Sequence, residues 1–320
     1  MPETVDVALN VFGKPRQTAL ALLSLLKHSN ERIQTIYLLI ERGQSQYDTV
    51  DMAFLSRLSP KIKIIIPQLW LKLDALDVSR LHDKDYRYSI RYQYAWEHAE
   101  AGRLLLMHND VHFKGDVVGL LLGALGEAFV AGQIGQCWNC PAARQHIVAE
   151  LGINGRQPCV REHYEAFRPS FAELDAMYKL VRHYGEHFRN FLPRWSDEIR
   201  QHPWPLPECR ANEVCCLVNL DVARKATMPF GRARPFGTYV SAGSHNMDIA
   251  VAWFRDMHLQ GFRARHFDTT PYVEHTIGHS RLFDEAEYRQ AEDRAEAVLR
   301  AEFSDFVAFS KRFAPGLFPK

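Results

Sequence analysis

The chain has 320 residues, 47% of them hydrophobic and 24% charged, a composition able to bury one large core or two fused halves. Lysine and arginine number 39 against 38 acidic residues, so no overall field draws the chain toward nucleic acid or an anionic membrane. No apolar run is long enough to span a bilayer, and MPETVDVALNVFGKP lacks a basic segment followed by an apolar one. The expected location is therefore cytoplasmic, at most peripheral to the inner face of the membrane.

Short apolar β-type runs alternate with helical periodicity through the first third, the pattern of βαβ units and a largely parallel sheet. VDVALNVF at 5–12 predicts the first strand. Pro15 suits a first helical position, and Ala19, Leu22, Leu23 and Leu26 repeat at helical spacing toward Asn30. IQTIYLLIE, ending at Glu41, predicts a second strand and KIKIIIP at 61–67 a third. One helix is expected to carry Tyr88, Tyr92, Ala95 and Ala99 on a single face and to stop at Gly102, before RLLLM runs into MHNDVHFKGD. Open α/β sheets bind ligands beyond the carboxyl ends of their strands, which directs attention to His108, Asn109 and Asp110. A helix from about residue 117 and a strand AFVAG at 128–132 complete this half.

From 133 to 236 the chain is richer in proline, cysteine, tryptophan and arginine, with one clear helix near 171–184; this reads as the acceptor-side half. A helix from about Ser244 places Ala250, Phe254 and Met257 at core spacing and stops at Gly261, followed by FRARHF and YVEH as short strands. Asp284 and Glu287 stand at capping-box spacing and open an amphipathic helix through Tyr288, Ala291, Ala295, Val298 and Phe306, a candidate face for a homo-oligomer. No internal repeat or low-complexity segment interrupts the chain.

Six cysteines in a cytoplasmic chain point to free thiols or metal ligands rather than a disulfide framework. CWNC, from Cys137 to Cys140, is the C-x2-C knuckle that grips zinc, and Cys159 and Cys209 can close a four-thiolate structural Zn²⁺ site. Scattered buried thiols are the competing reading. Cys215 and Cys216, in VCCLVNL, read as core strand residues.

Three segments, in order, carry a family likeness: VALNVFGKPRQTALALLSLLKHS with IQTIYLLIERGQS; RYQYAWEHAEAGRLLLMHNDV; and DIAVAWFRDMHLQGFRARHFDTTPYVEHTIGHS. Together they resemble the bacterial GT-A glycosyltransferases that use nucleotide sugars, a group that includes polysaccharide and rhamnosyl transferases. The resemblance implies an α/β fold of GT-A, Rossmann-like type, with a mixed, mainly parallel sheet flanked by helices. It implies one catalytic domain at 1–281, divided into a nucleotide-binding half at 1–132 and an acceptor half at 133–281. An irregular Cys-containing insertion falls at about 133–212 of the latter, and a C-terminal helix at 282–320. The implied activity is a hexosyltransferase-type transfer from a nucleotide-sugar donor to a glycan or other hydroxyl acceptor, inverting and assisted by Mn²⁺ or Mg²⁺. The family's Asp-any-Asp metal motif reads His108, Asn109, Asp110 in this chain.

The leaving group of a nucleotide sugar is a diphosphate, whose developing charge a divalent cation neutralises directly. Asp110 is the first-choice ligand and His275 the second, a nitrogen donor that favours Mn²⁺. The nucleotide is expected across the first two strands, near Val11, Phe12 and Gly13, with Glu41 available to base or ribose hydroxyls, Asn109 beside the metal aspartate and Arg91 on phosphate oxygens. Asp248, placed in the first turn of a helix capped by Ser244, is the expected general base, with His245 and Glu213 in reserve. The plain alternatives are a turn cap for Asp110, a polar core residue for His275, a solvated strand end for Glu41, a surface salt bridge for Arg91 and a helix-dipole contact for Asp248. His108 in place of an aspartate motivates the competing function, a non-catalytic GT-A-fold glycan-binding or scaffold protein. A nucleotidyltransferase ranks last, since VFGKPRQ supplies one glycine where a glycine-rich loop is needed.

Overall fold

The computed structural model describes residues 3–41, 50–71, 75–184, 195–242, 245–275 and 284–318. In chain order the first half comprises β1 (Val5–Val11), α1 (Pro15–Ser29), β2 (Ile33–Ile40), β3 (Ile62–Ile65), α2 (Lys84–Ser89), α3 (Gln93–His98), β4 (Arg103–Met107), β5 (Val111–Phe113), α4 (Val117–Leu125) and β6 (Val130–Ile134). The second half adds α5 (Gln145–Leu151), α6 (Phe171–His183), α7 (Asp197–Gln201), β7 (Ala211–Asn219), α8 (Leu220–Ala226), β8 (Val240–Ala242), β9 (His245–Met247), α9 (Val251–Leu259), β10 (Arg265–His266), β11 (Val273–His275), α10 (Glu285–Glu302) and α11 (Ser304–Phe313).

Seven strands form one sheet in the order β10-β6-β7-β4-β1-β2-β3. The β1–β2, β1–β4, β2–β3 and β10–β6 pairs are parallel, while β7 runs antiparallel to both β4 and β6. This is the mixed, mainly parallel sheet expected from the sequence. Period-two alternation sorts its side chains to two faces. Val5, Val7, Leu9, Leu105, Met107 and Leu217 join one apolar cluster with α1 and α4, whereas Ala8, Leu104, Leu106 and Val218 join another with α3, α6 and α9. Strands buried on both faces read as continuous apolar runs, which is why VDVALNV and RLLLM are legible as strands.

The chain departs β1 toward β2 and β3 on one side and returns to β4 on the other, so β1 and β4 flank the point where strand order reverses. Ligand crevices form at the carboxyl ends there, and Leu9 pairs with Met107 at that end.

Several expected elements differ. The helix expected to run toward Gly102 breaks into α2 and α3, because Tyr92 takes a left-handed φ of 66° and Ile90 leaves the helical region. Gly237 lies against the break; a Cβ there would fall 2.0 Å from the Arg91 carbonyl oxygen, so only glycine allows the approach. The acceptor-side helix begins at Val251 behind a left-handed Ala250 (φ 69°), later than expected, and Ser244 lies outside the described residues. The C-terminal helix is two, α10 capped by the Asp284 carboxylate on Glu287 N at 3.1 Å, then α11. Tyr288, Ala291, Ala295 and Leu299 of α10 are buried, and α10 packs on α1, so the face expected to serve self-association is used within the chain. Among the described residues no helix is long and apolar enough to cross a membrane.

Candidate active site

Two polar turns leave the adjacent ends of β1 and β4. After β1, Gly13 (φ 61°) and Lys14 (φ 56°) are both left-handed, a conformation that a lysine adopts only when its surroundings hold it there. The holding groups come from the far end of the sequence. Lys14 N donates to the Tyr288 hydroxyl at 2.7 Å, and the Glu292 carboxylate accepts from Arg16 N, Gln17 N and Gln17 Nε2 at 2.9, 3.2 and 2.9 Å. The α10 helix thus clamps the first turn of α1.

After β4, Asn109 Nδ2 donates to the Gly13 carbonyl at 3.1 Å and to the Thr18 hydroxyl at 2.9 Å, tying the two turns together. Asp110 then faces Lys14: Nζ stands 2.7 Å from Oδ2, with both side chains more than nine-tenths buried. The other oxygen, Oδ1, faces two imidazoles, His275 Nε2 at 3.2 Å and His108 Nδ1 at 3.6 Å. His275 arrives through the antiparallel β11–β5 pair, in which it sits opposite Val111. Burial by itself would raise the Asp110 carboxyl, but Lys14, then His275 and His108, hold it well below the ordinary 3.8.

One ligand atom from each of His108, Asp110 and His275 lies within 4.8 Å of the others, and these residues are the group of this kind found among the described residues. One carboxylate and two neutral imidazoles form a borderline donor set that suits Mn²⁺ better than Mg²⁺. With Lys14 on Oδ2, Asp110 has one oxygen, Oδ1, directed at such an ion. The environment of His108 fits the same role: its Nε2 faces Glu213 Oε1 at 3.3 Å, the arrangement in which a carboxylate orients a metal-ligating histidine. Burial would lower the His108 pKa, but Asp110 and Glu213 raise it above 6.5, so an ion at Nδ1 competes with a proton.

The charges continue inward. Arg210, fully buried, pairs with Glu213, reaches Asp248 Oδ2 at 3.6 Å and donates to the Ile249 carbonyl at 2.8 Å. Burial would raise Glu213, but Arg210 and His108 bring it down to about 2. Asp248 precedes α9 rather than opening it; it also accepts from Gln136 Nε2 at 3.0 Å and is more exposed than Glu213. His245 falls in β9, whose side chains lie outside the described residues.

On the β2 side, Glu41 accepts from Asn10 Nδ2 at 3.2 Å and pairs with Arg91 Nε at 2.8 Å. Arg91 occupies the break between α2 and α3, not a helical face, and its ion pair is largely sheltered. A cleft lined by Leu76, Tyr86, Ile90, Arg91, Gly237 and Ile249 opens beside it. The Val11 carbonyl accepts from Glu41 N at 3.0 Å, and the Phe12 ring stacks on Trp70 with centroids 6.1 Å apart.

The structure therefore brings Asp110, His275, Asn109 and Gly13 together, with Glu213 and Asp248 joined to them through His108 and Arg210. Sequence reasoning missed Lys14, His108 as a ligand, and Arg210. A signal existed for the first two, a lysine directly after the glycine that follows β1 and an imidazole two residues before Asp110; Arg210 has none.

No family model matches the chain, and no curated protein matches it. Among solved structures it is similar to mouse xyloside xylosyltransferase 1, at 14% identity over 83% of this chain and 86% of that one, with a TM-score of 0.39. It is also similar to the galactosyltransferase LgtC, at 13% identity over 59% of this chain and 66% of that one, with a TM-score of 0.32. A third likeness is to the glycosyltransferase GlyE of Streptococcus pneumoniae TIGR4, at 19% identity over 41% of this chain and with a TM-score of 0.26. The chain spans 30% of the length of GlyE and 35% of a TarS fragment from S. aureus.

Proposed function

We propose that this chain is a glycosyltransferase that moves a sugar from a nucleotide-sugar donor to a hydroxyl acceptor at the carboxyl ends of β1 and β4. The observation that carries the reading is the convergence of Asp110, His275 and His108 at the point where strand order reverses, the place where open α/β sheets hold ligands. A divalent cation held by these three would neutralise charge developing on a leaving diphosphate. The resemblance of the three sequence segments to GT-A enzymes points to the same chemistry.

Each neighbouring residue then has a part. Lys14 fixes Asp110 as a one-oxygen ligand and leaves a cation in the turn where phosphate oxygens would lie. Glu213 orients His108 and is itself held ionised by Arg210, which weakens it as a base. Asp248 is the better base, being the more exposed carboxylate and positioned by Gln136 and Arg210, next to the Ile249 wall of the cleft. Arg91, which also lines the cleft, keeps Glu41 in place for donor hydroxyls.

A second reading has one observation in its favour: Lys14 already compensates the charge of Asp110 without an ion, which is consistent with a glycan-binding or scaffold protein. A panel of UDP, GDP, CDP and dTDP sugars, with Mn²⁺ or EDTA, separates the two. Release of free nucleotide that is stimulated by Mn²⁺ and lost in Asp110→Asn supports the transferase. Binding without turnover for every donor and acceptor tried supports the scaffold.

A further inference from the structure

Two places outside the metal cluster have the residue types of a ligand site, and one of them is not assembled. Cys137, Cys140, Cys159 and Cys209 arrive from three stretches of chain, and no three of their sulfurs lie within 4.8 Å of one another. Four Zn–S bonds of about 2.3 Å need sulfurs about 3.8 Å apart. The four-thiolate zinc site expected from the sequence is therefore not formed, and these cysteines stand as free thiols, Cys140, Cys159 and Cys209 buried.

The other place is the cleft beside Arg91, a cavity of about 210 Å³ whose two segments are joined through the main chain. Leu76 N donates to Tyr239 O at 3.3 Å, Ala75 bridges Tyr239, and Arg91 bridges Gly237 at the break between α2 and α3. Backbone contacts thus fix the shape of the cleft before any ligand arrives. Leu76, Ile90 and Ile249 give it an apolar lining, into which two hydroxyls are set. The Tyr86 hydroxyl accepts from Asp77 N at 2.9 Å, and its own proton meets no acceptor among the described residues. Thr238, 3% exposed, donates to Pro235 O at 2.7 Å, and its oxygen can still accept. Asp77 and Arg80 on the lining are opposite in sign, and Glu41 neutralises Arg91 at 2.8 Å, so the cleft offers a ligand no net charge. An apolar lining with a few placed polar groups is the pattern of a small-molecule site, and pockets for drug-sized ligands run to roughly 300–1,000 Å³. This smaller cavity suits a single ring rather than a nucleotide. Two lining residues tie it to the proposed chemistry: Arg91 holds Glu41, and Ile249 directly follows Asp248 and gives its carbonyl to Arg210 at 2.8 Å.

We propose that this cleft binds the acceptor, and that the acceptor presents an uncharged sugar ring to it. The inference rests on the glycosyltransferase reading and adds to it the class of acceptor. The C–H faces of the ring lie against Leu76, Ile90 and Ile249, and its hydroxyls exchange hydrogen bonds with Tyr86 and Thr238. A uronic acid or a phosphorylated sugar gains nothing here, because its charge loses water and finds no unbalanced cation. The attacking hydroxyl gives its proton to Asp248 as its oxygen bonds the anomeric carbon. The nucleoside diphosphate leaves with the electron pair of the broken C–O bond.

The test uses the full chain and two variants: Leu76→Trp, whose indole fills the cleft, and Tyr86→Phe, which deletes one hydroxyl and keeps the ring. The probes are methyl glycosides of neutral hexoses, of uronic acids and of hexose phosphates. Saturation-transfer NMR should show the neutral glycosides binding the wild type in preference to the charged ones, and no binding to Leu76→Trp. Tyr86→Phe should weaken the neutral glycosides by about threefold to tenfold, the worth of one hydrogen bond, which keeps the proposal testable if the tryptophan variant does not fold. In assays with a nucleotide sugar and Mn²⁺, Leu76→Trp should lower transfer to the glycoside relative to hydrolysis of the donor by water. Equal loss of transfer and hydrolysis in a variant that melts like the wild type assigns the cleft to the donor and overturns the proposal. Unchanged glycoside binding in both variants overturns it as well, as does a preference for the charged glycosides. Neutral glycosides that bind the wild type and not Leu76→Trp, with no nucleotide released from any donor, uphold the sugar cleft and overturn the transferase reading alone.

Discussion

Lys14→Met is the most informative single change in the candidate active site. It keeps the left-handed backbone, the Tyr288 bond and most of the apolar stem, and deletes only the ammonium 2.7 Å from Asp110 Oδ2. At an effective dielectric of about 20, unit charges at that distance attract by about 6 kcal/mol. Freeing the variant from ammonium desolvation returns part of this, and stranding one partner of a buried pair costs about 3–5 kcal/mol in measured cases. At roughly 2 °C per kcal/mol for a chain of this size, the melting temperature in EDTA should fall by about 5–10 °C. A divalent ion at Oδ1 then has a carboxylate to itself, without a neighbouring positive charge. Mn²⁺ should therefore bind the variant more tightly than the wild type and stabilise it more, with about 2.7 kcal/mol recovered at a hundredfold excess over Kd. Thermal melts with EDTA and with Mn²⁺, together with calorimetric titration, read both quantities. A variant that melts within a degree of wild type, or that gains no more from Mn²⁺ than wild type does, would refute the claim that Lys14 and the ion share Asp110.

Asp248→Asn should lower turnover by about 10²- to 10⁴-fold while donor affinity is retained, and unchanged turnover would move the search for the base elsewhere. His275→Ala should weaken Mn²⁺ binding with little loss of thermal stability; the reverse outcome, a collapsed melt with intact metal affinity, would make His275 structural. His258 provides a pH test away from the site. Burial and then Arg168 lower its pKa to about 3, in a cage that includes Phe129, Tyr164 and Trp204. The unfolded chain takes up a proton below 6.5 and the folded chain does not until about 3, so this group's contribution is intact at pH 7 and is lost as pH falls through that window. At pH 5 the loss is on the order of 2 kcal/mol. His258→Phe should escape it, so the stability of the variant relative to wild type should improve between pH 7 and pH 5 in denaturant melts.

Local patterns made much of the fold legible. The alternation of VDVALNV and the apolar run RLLLM reflect burial on both sheet faces, and Pro15 with its periodic leucines reflects one helix packed on one layer; each signal lies within a few residues of itself. Asp110 was legible for the same reason, as the first carboxylate after an apolar strand ends. The sequence also put His275 in a short strand, and the likeness to GT-A enzymes supplied its pairing with Asp110.

Other features depend on contacts between residues far apart in the chain. The antiparallel insertion of β7 between β4 and β6 leaves no mark on the apolar pattern of VCCLVNL, which would suit either direction. The break at Arg91 is enforced by Gly237, and no local residue between Tyr88 and Ala95 announces it. Asp248 has a helix-opening spacing, yet it is held outside α9 by Arg210 and Gln136. Local sequence patterns suffice for the strands and helices of the first half and for the strand end that bears Asp110. It takes the folded packing to bring Lys14, clamped by Tyr288 and Glu292 from the other end of the chain, to Asp110, and to link Asp110 to Glu213 through His108. Ion pairs of this kind are set by which strand ends become neighbours in the sheet, a property of the whole packing that no short window of residues contains.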